Sequence, residues 1–241
     1  MPFFDPLYIV VLVVTLAITG WAAWRVRSTY ARWAKVDSGL NLDAFDFARR
    51  LLDRQGLTDV RIEPTPGQLT DHYDPRGKVL RVSTQVADAS ALAMRGVTTS
   101  TPRLSVAAAA VIAHEVGHAL QDRQKEPAMA LRQAIVPVAQ FGSGIAPWLI
   151  IAGFWLNLTG LALIGLIAFG GAVLFTFATL PVEIGASGKA LAFVNGLGMV
   201  GERQAGARDV LKAAAWTYVA GALTALLTFL YYAFLIFGRR D

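Results

Sequence analysis

His114 and His118 stand four residues apart with a glutamate beside the first, in the run His114-Glu115-Val116-Gly117-His118. On a helix, positions i and i+4 share one face a turn apart. Two imidazoles so placed can aim at one zinc ion, each nitrogen about 2.1 Å from the metal. Glu115 projects from the adjacent edge of the same helix, where it can take a proton from a metal-activated water without being a ligand. Zinc lowers the pKa of such a water from about 15.7 to about 7, and the glutamate then passes the proton to a leaving amine. This HExxH spacing therefore implies peptide hydrolysis. The plainer alternative is a helix with two solvated or core histidines, and the small neighbours Ala113, Gly117 and Ala119 suit either reading.

A catalytic zinc takes three protein ligands, so one more is needed. The chain has no cysteine and one other histidine, His72. The extended motif with a third histidine soon after the second is absent, since Leu120-Gln121-Asp122-Arg123-Gln124 follows. Asp122 lies a further turn, about 6 Å, along the same axis and cannot close a tetrahedron there. The third ligand must come from another helix. Glu183, in Pro181-Val182-Glu183-Ile184-Gly185-Ala186-Ser187, ends a long apolar stretch. On spacing alone it reads equally as a ligand or as an interfacial carboxylate capping a helix after Pro181.

The elements that must position these groups are mostly apolar. The hydrophobic fraction is 55%, the mean hydropathy +0.48, and only 16% of residues are charged, against about 25% in soluble domains. Leu7–Trp24 is an uncharged span followed at once by Arg25, Arg27, Arg32 and Lys35. With no basic residue before it, it reads as an uncleaved anchor rather than a signal peptide. No charge occurs between Arg132 and Glu183, which fits two spans of about 20 residues turning at Asn157-Leu158-Thr159-Gly160. Pro137 and Pro147 are expected to kink the first of the pair. A fourth span covers Ala213–Phe237.

Between the first two spans lies a polar region. Asn41 is expected to cap a helix through Leu42–Leu52, with Gly56 ending it. Asp74-Pro75-Arg76-Gly77 has type I turn chemistry, which predicts a hairpin over Gln68–Ser83 beside a strand near Asp59–Glu63. Thr101-Pro102 is expected to open the metal helix, with threonine as N-cap and proline at the first helical position. The fold class is thus mainly α: four transmembrane helices with a small α+β zincin-like region. As domains, the chain reads as a first span (1–24), a catalytic region (25–133), spans two and three (134–181), a segment with the third ligand (182–212), and the last span with its tail (213–241).

Three of these motifs, with Asp71-His72-Tyr73-Asp74-Pro75, resemble a known family: the neutral zinc metallopeptidases of the YugP type, bacterial membrane proteins. They are Ala113-His-Glu-Val-Gly-His-Ala-Leu-Gln121, Pro181–Ser187, and Gly206-Ala-Arg-Asp-Val-Leu-Lys-Ala-Ala-Ala215 running into the last span. The resemblance covers nearly the whole chain. It implies that Glu183 is the downstream glutamate completing His–His–Glu coordination of Zn2+, as in gluzincins, with one position left open. It also implies a reaction class without a substrate, the expectation being peptides of membrane or membrane-proximal proteins. One departure is that Gly188-Lys189 stands where the family pattern has two arginines.

Several weaker signals remain. His72 reads as a polar strand residue or as an oxyanion or substrate contact, and Tyr73 as a group that could stabilise a tetrahedral intermediate. Lys78–Ser83 reads as a substrate-pairing edge or as one strand completing a small sheet. The net charge of +5 is no nucleic-acid signature, because residues 25–132 interleave their bases with acids; it reads as membrane topology. Lys189, Arg203, Arg208 and Lys212 lie between spans three and four, and no base lies in the turn between spans two and three. Both facts, with Arg25–Lys35, place the site on the cytoplasmic side of a bacterial inner membrane, Arg239 and Arg240 dissenting. Two rivals are a non-catalytic zinc-binding membrane adaptor, which would not need Glu115, and a transporter with a regulatory zinc site, which would need polar groups within its spans.

Overall fold

The computed structural model describes residues 5–84, 86 and 104–238. The chain divides into two compact units. One comprises Met1–Ala23, Pro127–Pro181 and Trp216–Asp241; the other comprises Trp24–Glu126 and Val182–Ala215.

The first unit is built from four helices long and apolar enough to cross a membrane. They are α1 (Pro6–Trp33), α4 (Pro127–Trp155), α5 (Thr159–Gly196) and α6 (Glu202–Phe237), each continuing beyond this unit or ending within it. Phe141 and Trp148 are 70% exposed and Trp155 80%. Large apolar groups facing outward on such helices are the mark of a lipid-facing surface. Between α4 and α5 the contact runs through small residues, as membrane helices favour. A Cβ on Gly142 would lie 2.5 Å from the Ala168 carbonyl oxygen, and one on Gly165 would lie 2.9 Å from the Ile150 nitrogen. Aromatic pairs join the other helices: Phe169 with Phe229 and Tyr232, Tyr8 with Tyr231, and Trp21 edge-on to Trp216. The α4–α5 turn falls where its sequence predicts, with Asn157 at φ 54°. Pro137 and Pro147 both sit inside the uninterrupted α4.

In the second unit, α2 (Ala44–Arg54) is amphipathic and buries Ala44, Phe47, Ala48, Leu51 and Leu52. Its N-cap is Asp43, whose carboxylate accepts the Asp46 N–H at 2.7 Å. Asn41, the expected cap, instead takes a left-handed φ of 51°. The helix starts where its buried stripe starts. Gly56 follows its end at φ 68°, the conformation that suits glycine after a helix.

A three-stranded sheet packs beside it in the order β1-β3-β2. β1 is Arg61–Thr65, β2 is His72–Asp74 and β3 is Val79–Ser83. β3 pairs parallel with β1 and antiparallel with β2, His72 opposite Arg81. Asp74 makes the hairpin turn by accepting the Arg76 and Gly77 N–H groups. The strand expected over Lys78–Ser83 is therefore the central one, paired along its length with β1 and over Val79–Arg81 with β2, and it completes a small sheet rather than forming its edge. Its burial explains the position: Val79, Leu80, Val82 and Ser83 are all buried.

The metal-motif helix, α3, runs Val106–Arg123 and is capped by Ser105, whose hydroxyl accepts the Ala108 N–H. Its start is later than the sequence suggests, and Thr101 and Pro102 lie outside the described residues. The cause is long-range pairing. Ser38 N–H donates to Leu104, Leu104 N–H to Leu42, and Val106 N–H to Val36, holding the chain extended up to the cap. The run Ala107–Ala110 is buried with Phe47, Leu51 and Leu52 in one core. Helix α5 also departs from expectation, for it continues through Pro181 to Gly196. Glu183 is thus inside a helix rather than at its cap.

Candidate metal centre

Helix α3 presents His114 and His118 one turn apart, with ring centroids 4.6 Å from each other. Glu183 on α5 approaches both: its Oε2 is 3.1 Å from His114 Nε2 and 3.4 Å from His118 Nε2. The close approach depends on Gly117, one residue before His118. A Cβ there would lie 2.7 Å from the Ala186 carbonyl oxygen, so α3 and α5 touch backbone to backbone.

The three donor atoms lie within 4.8 Å of one another and are the one such group among the described residues. Their chemistry fits zinc. Four ligands at about 2.0–2.1 Å in a tetrahedron stand about 3.3 Å apart, and the two nitrogen–oxygen separations bracket that value. Burial argues the same way. Glu183 is only 2% exposed, and an ionised carboxylate so placed costs several kcal/mol unless compensated, as a cation would do.

Each imidazole is held from behind. His118 Nδ1 is 3.0 Å from Gln121 Oε1, while the Gln121 amide nitrogen donates to the Val182 carbonyl at 2.9 Å. His114 Nδ1 is 3.2 Å from Ser187 Oγ. Bonds of this kind fix tautomer and ring orientation in metal sites. Neither Gln121 nor Ser187 stands out in the sequence as chemistry-bearing. The available signal is spacing: Gln121 is i+3 from His118 and Ser187 is i+4 from Glu183, so each shares a helix face with the cluster.

Glu115 lies beside the cluster without joining it. Its Oε2 accepts the backbone N–H of Tyr73 at 2.9 Å. It keeps some exposed surface, yet packing desolvates the carboxyl and pushes its pKa up, with His118 and His114 acting in the opposite direction. The Tyr73 hydroxyl donates to Asp122 at 2.9 Å. Burial, then that carboxylate, push the phenol well above the usual tyrosine range. Tyr73 thus straps β2 onto α3 from both ends.

Other residues singled out in the sequence lie apart. His72 is exposed, with Nδ1 at 2.8 Å from the Thr70 carbonyl and Nε2 at 3.2 Å from Arg81. Asp71 is occupied by Ser83, accepting both its N–H and its hydroxyl at 2.7 Å. Lys189 pairs with Glu126 at 2.6 Å.

A largely buried His–His–Glu cluster, with four bilayer-length apolar helices among the described residues, defines a membrane metalloprotein. The chain belongs to the zinc peptidase family described as "Putative neutral zinc metallopeptidase", whose model matches residues 8–101 and 98–237. It is similar to "Putative membrane protease YugP" of Bacillus subtilis (strain 168), at 38% identity over 236 residues, covering 98% of this chain and 99% of the relative. No solved structure matches it.

Proposed function

We propose that this zinc peptidase hydrolyses peptide bonds of membrane or membrane-proximal proteins, in gluzincin fashion, at the cytoplasmic face of a bacterial inner membrane. His114, His118 and Glu183 are its zinc ligands and Glu115 its general base. The observation that carries the reading is the division of the two carboxylates. Glu183 meets both imidazoles at 3.1 and 3.4 Å, while Glu115 is beside them but bonded to Tyr73.

When bound, zinc supplies Lewis acidity, which polarises a carbonyl and makes water acidic near neutral pH. The protein does the rest. Gln121 and Ser187 hold the imidazoles so that both Nε2 atoms face inward. The Tyr73 N–H anchors one oxygen of Glu115 and leaves the other to take a proton and return it to the leaving amine. Desolvation of that carboxyl raises its basicity, which suits it to the transfer.

The test separates ligand from base. Purified Glu115→Gln should keep the wild-type zinc content and lose hydrolysis of a denatured membrane protein by at least about a hundredfold, general-base catalysis contributing roughly 10²–10⁴. Wild-type turnover by that variant would reject the mechanism.

A further inference from the structure

Gln121, on α3, bonds to both ligand-bearing helices at the cluster. It is 1% exposed, and a primary amide buried so deeply must satisfy both its ends. Its Oε1 faces His118 Nδ1 at 3.0 Å and its Nε2 faces the Val182 carbonyl at 2.9 Å. The two contacts determine each other. A carbonyl can only accept, so the amide nitrogen must point at Val182 and the amide oxygen at the imidazole. That oxygen in turn requires a proton on His118 Nδ1, which leaves the Nε2 lone pair directed at Glu183. Val182 is the residue before Glu183 in the chain. One amide therefore sets the tautomer of one ligand and pins the backbone beside another. Gly185 makes room for it, since a Cβ there would lie 2.8 Å from Gln121 Nε2.

We infer that Gln121 is a positioning residue for metal binding, registering α3 against α5 so that His118 and Glu183 face one ion. The inference rests on the proposed ligand set. An outer partner of this kind typically contributes 10–100-fold in metal affinity.

The experiment measures zinc Kd for the full chain in detergent by competition with a chromophoric chelator. Gln121→Leu is expected to weaken binding roughly 10–100-fold. Gln121→Glu, buried against the Val182 carbonyl and so held as the neutral acid, keeps an oxygen toward His118 Nδ1 and an O–H donor toward Val182, and is expected to recover most of that loss. A merely structural role would not discriminate in this way, because glutamate is no better than leucine at filling an apolar gap. Thermal unfolding of each variant identifies any that fails to fold, and Gln121→Glu then carries the test against wild type: zinc Kd should remain within about tenfold. Wild-type affinity in a folded Gln121→Leu protein overturns the inference, and so does a Gln121→Glu protein that binds as weakly as Gln121→Leu. His118→Ala is measured beside them. If it retains wild-type affinity, the ligand assignment falls and the role of Gln121 falls with it.

Discussion

Glu183 reaches the cluster from α5, 65 positions beyond His118, and no spacing rule ties it to the motif. Replacing it removes a proposed ligand, so Glu183→Ala should weaken zinc binding by more than the roughly 10–100-fold that loss of an outer partner costs. His72→Ala should leave zinc Kd within twofold and stability within about 0.5 kcal/mol, as expected for an exposed side chain away from the core. Metal titration of the two proteins checks both statements, and the reverse pattern would move the third ligand to β2. Much at this scale is legible in the sequence. The two histidines and the glutamate between them announce themselves because helix geometry converts their spacing into a shared face. What holds them does not. Gln121 and Ser187 are ordinary helix residues until α3 and α5 meet, and the Tyr73 contribution to Glu115 is a backbone N–H that carries no residue signature.

The meeting of α3 and α5 depends on missing side chains. Gly117 faces the Ala186 carbonyl so closely that a methyl group there would sit 2.7 Å from a backbone oxygen, which cannot swing aside as a side chain would. Gly117→Ala should gain up to about 1 kcal/mol in helix propensity but lose about 1–3 kcal/mol to overpacking. The net expectation is a lower unfolding temperature together with weaker zinc binding, both measurable on the detergent-solubilised protein. A more stable variant with unchanged zinc affinity would show that the helices are not in register through this contact. Elements whose signals are local were readable: the Asp74 turn, the Asn157 turn, and the amphipathic α2. Boundaries set from far away were not. The start of α3 is decided by pairing of residues 104–106 with residues 36–42, and the central place of β3 by its parallel partner β1. Pro181, which reads as a helix end, is accommodated inside α5.

If each of the four apolar helices crosses the bilayer, the stretch after α1 and the stretch bearing Glu183 emerge on one side. The proposed cytoplasmic placement follows from Arg25, Arg27, Arg32 and Lys35 after the first span, with Lys189, Arg203, Arg208 and Lys212 after the third. Because the chain lacks cysteine, single cysteines report cleanly. Thr58→Cys, at an exposed site in the second unit, should resist a membrane-impermeant thiol reagent in intact cells, and Asn157→Cys, exposed in the α4–α5 turn, should react. The opposite labelling would invert the topology. The order of the ligands along the chain has a consequence for biogenesis. His114 and His118 leave the ribosome first, and α4 with the part of α5 up to Val182 must follow before Glu183 exists. At about 5–20 residues per second, a nascent chain spends several seconds with half a site. If only one of the two helices inserted, Glu183 would be delivered to the opposite side of the bilayer. Under the proposed ligand set, a chain threaded wrongly could not bring Glu183 to His114 and His118, so the metal site depends on correct insertion of both helices.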